Sequence, residues 1–133
     1  MADSLTVQSR DPGASLTLHP HNRDYFVAEL RHSGLEAAAQ VGTYLSSGLA
    51  DFFTGLATNW RGWSGRRSWT SLEGELTLGA ESDRTGHVYL RVHLHDGAPA
   101  RWEVEAELVL EAGQLERLAS DARTFEQMAF SAP

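Results

Sequence analysis

The chain has 133 residues, enough for one domain, with no cysteine and a formal net charge of −7. Without thiols there can be no disulfide, thiolate metal site or cysteine nucleophile. A balance this acidic, in which all eleven basic residues are arginine, repels phosphate backbones at long range, and no apolar run nears the ~20 residues of a membrane span, so nucleic acid and membrane are set aside as partners.

In chain order, residues 1–14 carry the turn signal "DPG" and predict a flexible N-terminal segment; the opening "MADSLTVQSRDPGAS" lacks a basic segment followed by an apolar run, which points to the cytoplasm. "SLTLH" (15–19) alternates and predicts a short strand. "YFVAELRHSG" (25–34) puts Phe26, Ala28 and Leu30 on one face, and "LEAAAQVGTYL" (35–45) reads as its hairpin partner through Val41, Thr43 and Leu45. The period then changes. Leu49, Phe52, Phe53, Leu56, Ala57 and Trp60 form one stripe of an amphipathic helix over 46–60, with Ser46 or Ser47 as its cap and Asp51 in the first turn.

"RGWSGRRSW" (61–69) stops that helix. Three strands with clean period-two alternation follow, at 74–82, 87–95 and 101–112, and "GQLERLASDARTFEQM" (113–128) returns to helical spacing through Leu115, Leu118, Ala119, Ala122 and Phe125. The order β-β-β-α-β-β-β-α predicts a single two-layer α+β domain over 15–130, a largely antiparallel six-stranded sheet with two helices packed on one face.

The candidate chemistry lies on the outer face of the last three strands. A hairpin centred on "DGAPA" (96–100) pairs His93 with Glu103 and Arg91 with Glu105. A hairpin through "DRTG" (83–86) pairs Glu81 with His87, Thr77 with Arg91 and Glu75 with His93, and sets Tyr89 beside Gly79. Opposite charges across strands contribute about 0.2–1 kcal/mol per pair, so a solvated face with matched charges accounts for the pattern. The competing reading is a small-molecule or metal-binding domain that uses the histidines and glutamates of this face, a metal site taking His87, His93 and His95, with Glu75, as ligands.

Two further features stand out. "NWRGWSGRRSW" (59–69) gathers tryptophans and arginines, with Arg61, Trp63, Arg66 and Arg67 as candidate recognition residues, since Trp and Arg dominate interface hot spots; a packed corner between helix and sheet is the alternative. The row Glu103, Glu105 and Glu107 offers an acidic surface to a basic partner. No nucleophile elbow, phosphate loop, dinucleotide fingerprint or paired metal-protease histidines occur, so neither an enzyme nor a cofactor is expected.

The pieces "WRGW" (60–63), "W-x-x-LEG-x-L-x-L" (69–78) and "GHV-x-L-x-V-x-L" (86–94), followed by "EAGQLERLA" (111–119), resemble the actinobacterial proteins grouped as domain-of-unknown-function family 6228. The helix followed by a "GH" strand is also distantly similar to WapI-type immunity proteins. The resemblance implies no activity. With the acidic face and the Trp/Arg corner, it implies a non-catalytic protein-binding or immunity-like module, monomeric or homodimeric, whose partner is a basic toxin or enzyme.

Overall fold

The computed structural model describes residues 4–43, 48–97 and 99–131. Among these residues eight strands and two helices follow in the order β1 (Leu5–Gln8), β2 (Ser15–Pro20), β3 (Tyr25–His32), β4 (Leu35–Gly42), α1 (Leu49–Thr58), β5 (Arg67–Thr70), β6 (Leu76–Ser82), β7 (His87–His95), β8 (Glu103–Glu111) and α2 (Leu115–Ser131), with a 3-10 turn at Ala112–Gln114. They make two four-stranded antiparallel meanders, β1-β2-β3-β4 and β5-β6-β7-β8. The expected single six-stranded sheet with two helices on one face is therefore corrected. An alternating strand reports that one face is buried, and says nothing of what buries it. Here the inner faces of both sheets, carrying Leu16, Phe26 and Leu30 on one and Leu78, Leu90 and Leu108 on the other, enter one continuous core.

Two strands escaped the sequence reading because they are short. Residues 5–8, assigned there to the flexible segment, bury Leu5 and Val7 and expose Thr6 and Gln8, and they pair with β2. The "DPG" turn closes this hairpin: Ser9 N–H donates to Ala14 O (3.0 Å), and Gly13 takes the positive φ of 82° that a β-carbon would oppose. In the other sheet β5 faces Trp69 into the core opposite Leu78.

The helices pack chiefly on each other, α2 also against β1 and β2, and α1 against β5. The α2 stripe Leu115, Leu118, Ala119, Ala122 and Phe125 is buried as its spacing predicts, and the Phe125 ring meets Phe26 edge to face at 5.4 Å between centroids. In α1, Leu49, Ala50, Phe53 and Leu56 are buried, while Trp60 lies past the helix end and is 53% exposed. Ser46 and Ser47, expected to cap α1, and Leu45 lie outside the described residues. The first position is Gly48, and the cap comes from the other helix: Glu126 Oε2 accepts the N–H groups of Gly48 and Ala50, each at 3.2 Å. Among the described residues no helix is long and apolar enough to cross a membrane.

Candidate functional site

The outer face of β6-β7-β8 alternates as expected, with His87, Tyr89, Arg91, His93 and His95 half-buried and every residue between them buried. Its register differs from expectation by two residues on both sides. Tyr89 rather than His87 lies opposite Glu81, and Glu105 rather than Glu103 lies opposite His93. The turns cause this. Asp83 accepts the N–H groups of Thr85 (2.7 Å) and His87 (3.2 Å), and Asp96 accepts those of Arg101 (2.7 Å) and Trp102 (3.3 Å), so each loop wraps around a carboxylate and pairing starts later than a centred hairpin requires. These bonds, the first to Thr85 and to Arg101 above all, hold both carboxyls below the usual aspartate range. A two-residue slip keeps each side chain on its face and changes only its neighbours.

His93 therefore stands opposite Thr77 and Glu105, and its Nε2 reaches diagonally to Glu103 Oε1 at 2.8 Å. Arg91 bridges Glu105 (3.4 Å) and Glu107 (3.2 Å), which raise its pKa in that order. Gly79 is covered by Arg66, whose Cδ would lie 2.9 Å from an added β-carbon, and not by Tyr89.

The four proposed metal ligands do not converge. His87 sits between Asp83 (3.0 Å) and Glu111 (3.7 Å), His95 Nδ1 accepts the Gly97 N–H (3.2 Å), and Glu75 is buried against Ser71 Oγ (2.8 Å) rather than beside His93. His93 and His95 are neighbours, with ring centroids 6.0 Å apart. Among the described residues no three histidines or carboxylates form a cluster that could hold a metal ion.

The Trp/Arg corner is mostly occupied internally. Trp63 is 7% exposed and its Nε1–H donates to Ala80 O (3.2 Å), with the Arg67 guanidinium 5.2 Å from its ring. Arg67 also donates to Gly55 O (3.2 Å), and Arg66 lies 3.6 Å from Glu81. Trp60, with Arg61 at 5.1 Å over its ring, is the tryptophan that the corner leaves exposed, and Arg66 is exposed beside Glu81.

A different place is open. Strands β4 and β8 are edge strands of their respective sheets, and a groove runs between them as two adjoining hollows of about 460 and 420 Å³ that share Leu35 as a wall. Its apolar lining is Leu35, Ala37, Trp102, Val104 and Ala106, which pack on the core without being closed off by it. Period-two alternation over 101–112 puts Trp102, Val104 and Ala106 on the inward face with nothing to set them apart from core residues. The small side chains at Ala37 and Ala106 were the only signal that space remained there.

The outward main chain of β8 is claimed at one end only. Alternate residues of a strand turn N–H and C=O to the same edge. Val109 N–H donates to Ser9 Oγ (3.0 Å), Arg10 N–H donates to Val109 O (2.8 Å), and His32 Nε2 donates to Glu107 O (3.1 Å). Because His32 Nδ1 accepts the Ser33 N–H (2.9 Å), its ring is held as the Nε2–H tautomer, clamping the β3–β4 hairpin onto β8. Among the described residues nothing bonds the outward main-chain groups of Glu103 and Glu105.

Around the groove three arginines each serve two carboxylates: Arg10 serves Asp11 and Glu111, Arg31 serves Glu29 and Glu36, and Arg91 serves Glu105 and Glu107. The rim stays net negative after every pairing.

A protein-family model described as a family of unknown function, DUF6228, matches residues 7–128. This chain belongs to DUF6228. The pieces that carried the resemblance build turns and core: Gly62 of "WRGW" has φ 129° against Arg84, Gly74 of "LEG" has φ 80°, and Gly86 before His87 has φ 100°. None of them lines the groove. Among solved structures, the chain is similar to the plant transcriptional regulator PBF-2, with 8% identity, a TM-score of 0.52, and coverage of 96% of this chain and 83% of that one. It is also similar to WHY1 from Arabidopsis thaliana, with 9% identity, a TM-score of 0.49, and coverage of 96% and 91%. At such identities the likeness is one of fold. No curated protein matches the sequence significantly. The exclusion of nucleic acid, drawn from net charge, does not stand: a transcriptional regulator uses this fold, and a whole-chain charge does not describe a local surface.

Proposed function

We propose that this domain is a non-catalytic binding module that receives a protein partner along the groove between β4 and β8. One observation carries the reading: half-buried apolar side chains of both edge strands line an open groove along a strand whose main chain, among the described residues, is unclaimed at Glu103 and Glu105. Exposed sheet edges are usually blunted or covered, and an apolar floor beside one is a docking feature. Glu103, Glu105 and Glu107 flank the partner, and the exposed Trp60–Arg61 pair is a second contact for a large one. An immunity-like role is one form of such binding.

The test is selection of ligands from a random peptide display library on the intact chain, followed by amide shift mapping by NMR. Ligands that move the amides of residues 35–38 and 102–107 support the reading. Enriched ligands that map consistently to another surface refute it. Single- and double-stranded oligonucleotides in the same mapping experiment address nucleic acid, and an oligonucleotide that takes this groove in preference to every selected peptide also refutes it.

A further inference from the structure

We infer that the groove's occupant is an extended segment that adds to β8 as a further strand, with basic side chains alternating with apolar ones. This rests on the binding-module reading and names its ligand.

The stereochemistry follows from β8. A strand laid along the open edge meets the outward N–H and C=O of Glu103 and Glu105 and the N–H of Glu107, a run of about five residues at ~3.4 Å each. Residues standing opposite Glu103, Glu105 and Glu107 share the outer face with those carboxylates. Residues between them point to the inner side, onto Val104 and Ala106 of β8 and across to Leu35 and Ala37 of β4. The outer positions therefore select cations and the inner ones select small or branched apolar groups.

The carboxylates have charge to spare, because Arg91 is divided between Glu105 and Glu107 and, among the described residues, only an imidazole answers Glu103. The same row argues against a second copy of this chain as occupant. Two β8 edges paired antiparallel would set glutamates against glutamates, which is destabilising. Downstream, the Ser9 hydroxyl, the Arg10 N–H and His32 already close the edge at Val109 and Glu107 O, so the added strand ends where they begin.

The experiment titrates the full chain with an acetylated and amidated heptapeptide alternating valine and arginine, read by calorimetry and amide shifts. Four further titrants are the same peptide with glutamate for arginine, two forms N-methylated either on the residues whose N–H faces β8 or on those facing away, and a short oligonucleotide. The expected result is binding that moves amides 103–107 and 35–38. Exchange of arginine for glutamate weakens it at least about tenfold, as two or three reversed cross-strand pairs require. Methylation toward β8 abolishes binding, and methylation away from it is neutral. The double substitution E105Q/E107Q, checked for folding by circular dichroism, weakens the arginine peptide several-fold and flattens its salt dependence.

Equal effects of the two methylations, with shifts still in the groove, overturn strand addition and leave the binding-module reading standing. Shifts confined to another surface overturn both. No heat and no shift up to about millimolar peptide overturns the inferred composition of the ligand, while the display selection still tests the groove. An oligonucleotide that displaces the arginine peptide from these amides overturns the assignment to a peptide.

Discussion

Glu126 near the end of α2 caps the start of α1, and replacing it measures how far the two helices depend on each other. Two N–H groups that the helix itself cannot satisfy, those of Gly48 and Ala50, converge on one carboxylate oxygen at 3.2 Å. Hydrogen bonds to charged groups contribute about 1.5–3 kcal/mol each and a lost N-cap costs about 0.5–2 kcal/mol. These two bonds are long and the side chain is only half-buried, so Glu126→Ala is expected to cost about 1–2 kcal/mol. Alanine is the better helix former, so the loss cannot come from α2's own propensity. Glu126→Gln keeps an acceptor and loses the charge facing the α1 dipole, a cost of about 0.3–1 kcal/mol. Urea unfolding followed by circular dichroism reads both, and with m near 2 kcal/mol/M the alanine variant's midpoint falls by about 0.5–1 M. Gln127→Ala, one exposed position along, is the control and stays within about 0.3 kcal/mol of wild type. An alanine variant as stable as this control, or a glutamine variant as damaged as alanine, would refute the cap.

Trp63→Phe removes the donor to the buried Ala80 carbonyl and is expected to cost about 1–3 kcal/mol in thermal or urea unfolding, whereas a surface role for this ring predicts almost none. The depressed carboxyl of Asp83 sets a pH dependence. Its contribution is fully present above the unfolded aspartate value of about 3.9 and is lost as pH falls toward the lower folded value, so the stability gap between wild type and Asp83→Asn should shrink between pH 6 and pH 3. Urea midpoints across that range check it, and a gap that widens toward acid contradicts the turn geometry. Gly62→Ala forces a β-carbon to 2.8 Å from Arg84 Cγ and 3.2 Å from its Cα at φ 129°, and should cost about 1–3 kcal/mol; Gly113→Ala, with open space and no positive φ, should be neutral or stabilising by up to about 1 kcal/mol. Melting temperatures of the pair decide it.

Much of the local structure is legible in the residues alone. The alternation of 87–95 assigns every side chain of β7 to its observed face, and the stripe from Leu115 to Phe125 assigns the buried side of α2, because strand and helix periods are properties of the backbone itself. That acids and bases share the outer face of β6-β7-β8 follows from the same period. Which of them touch does not: carboxylates inside two loops, Asp83 and Asp96, delay the pairing by two residues and send His93 diagonally to Glu103. The division into two sheets, the cap lent by Glu126 across 78 positions to Gly48, and the groove between β4 and β8 were decided only by tertiary structure. A hydrophobic period says that a face must leave water. Whether a helix, a second sheet or a partner from outside takes the water's place depends on which edges the folded chain brings together, and among the described residues it brings none to Glu103 and Glu105.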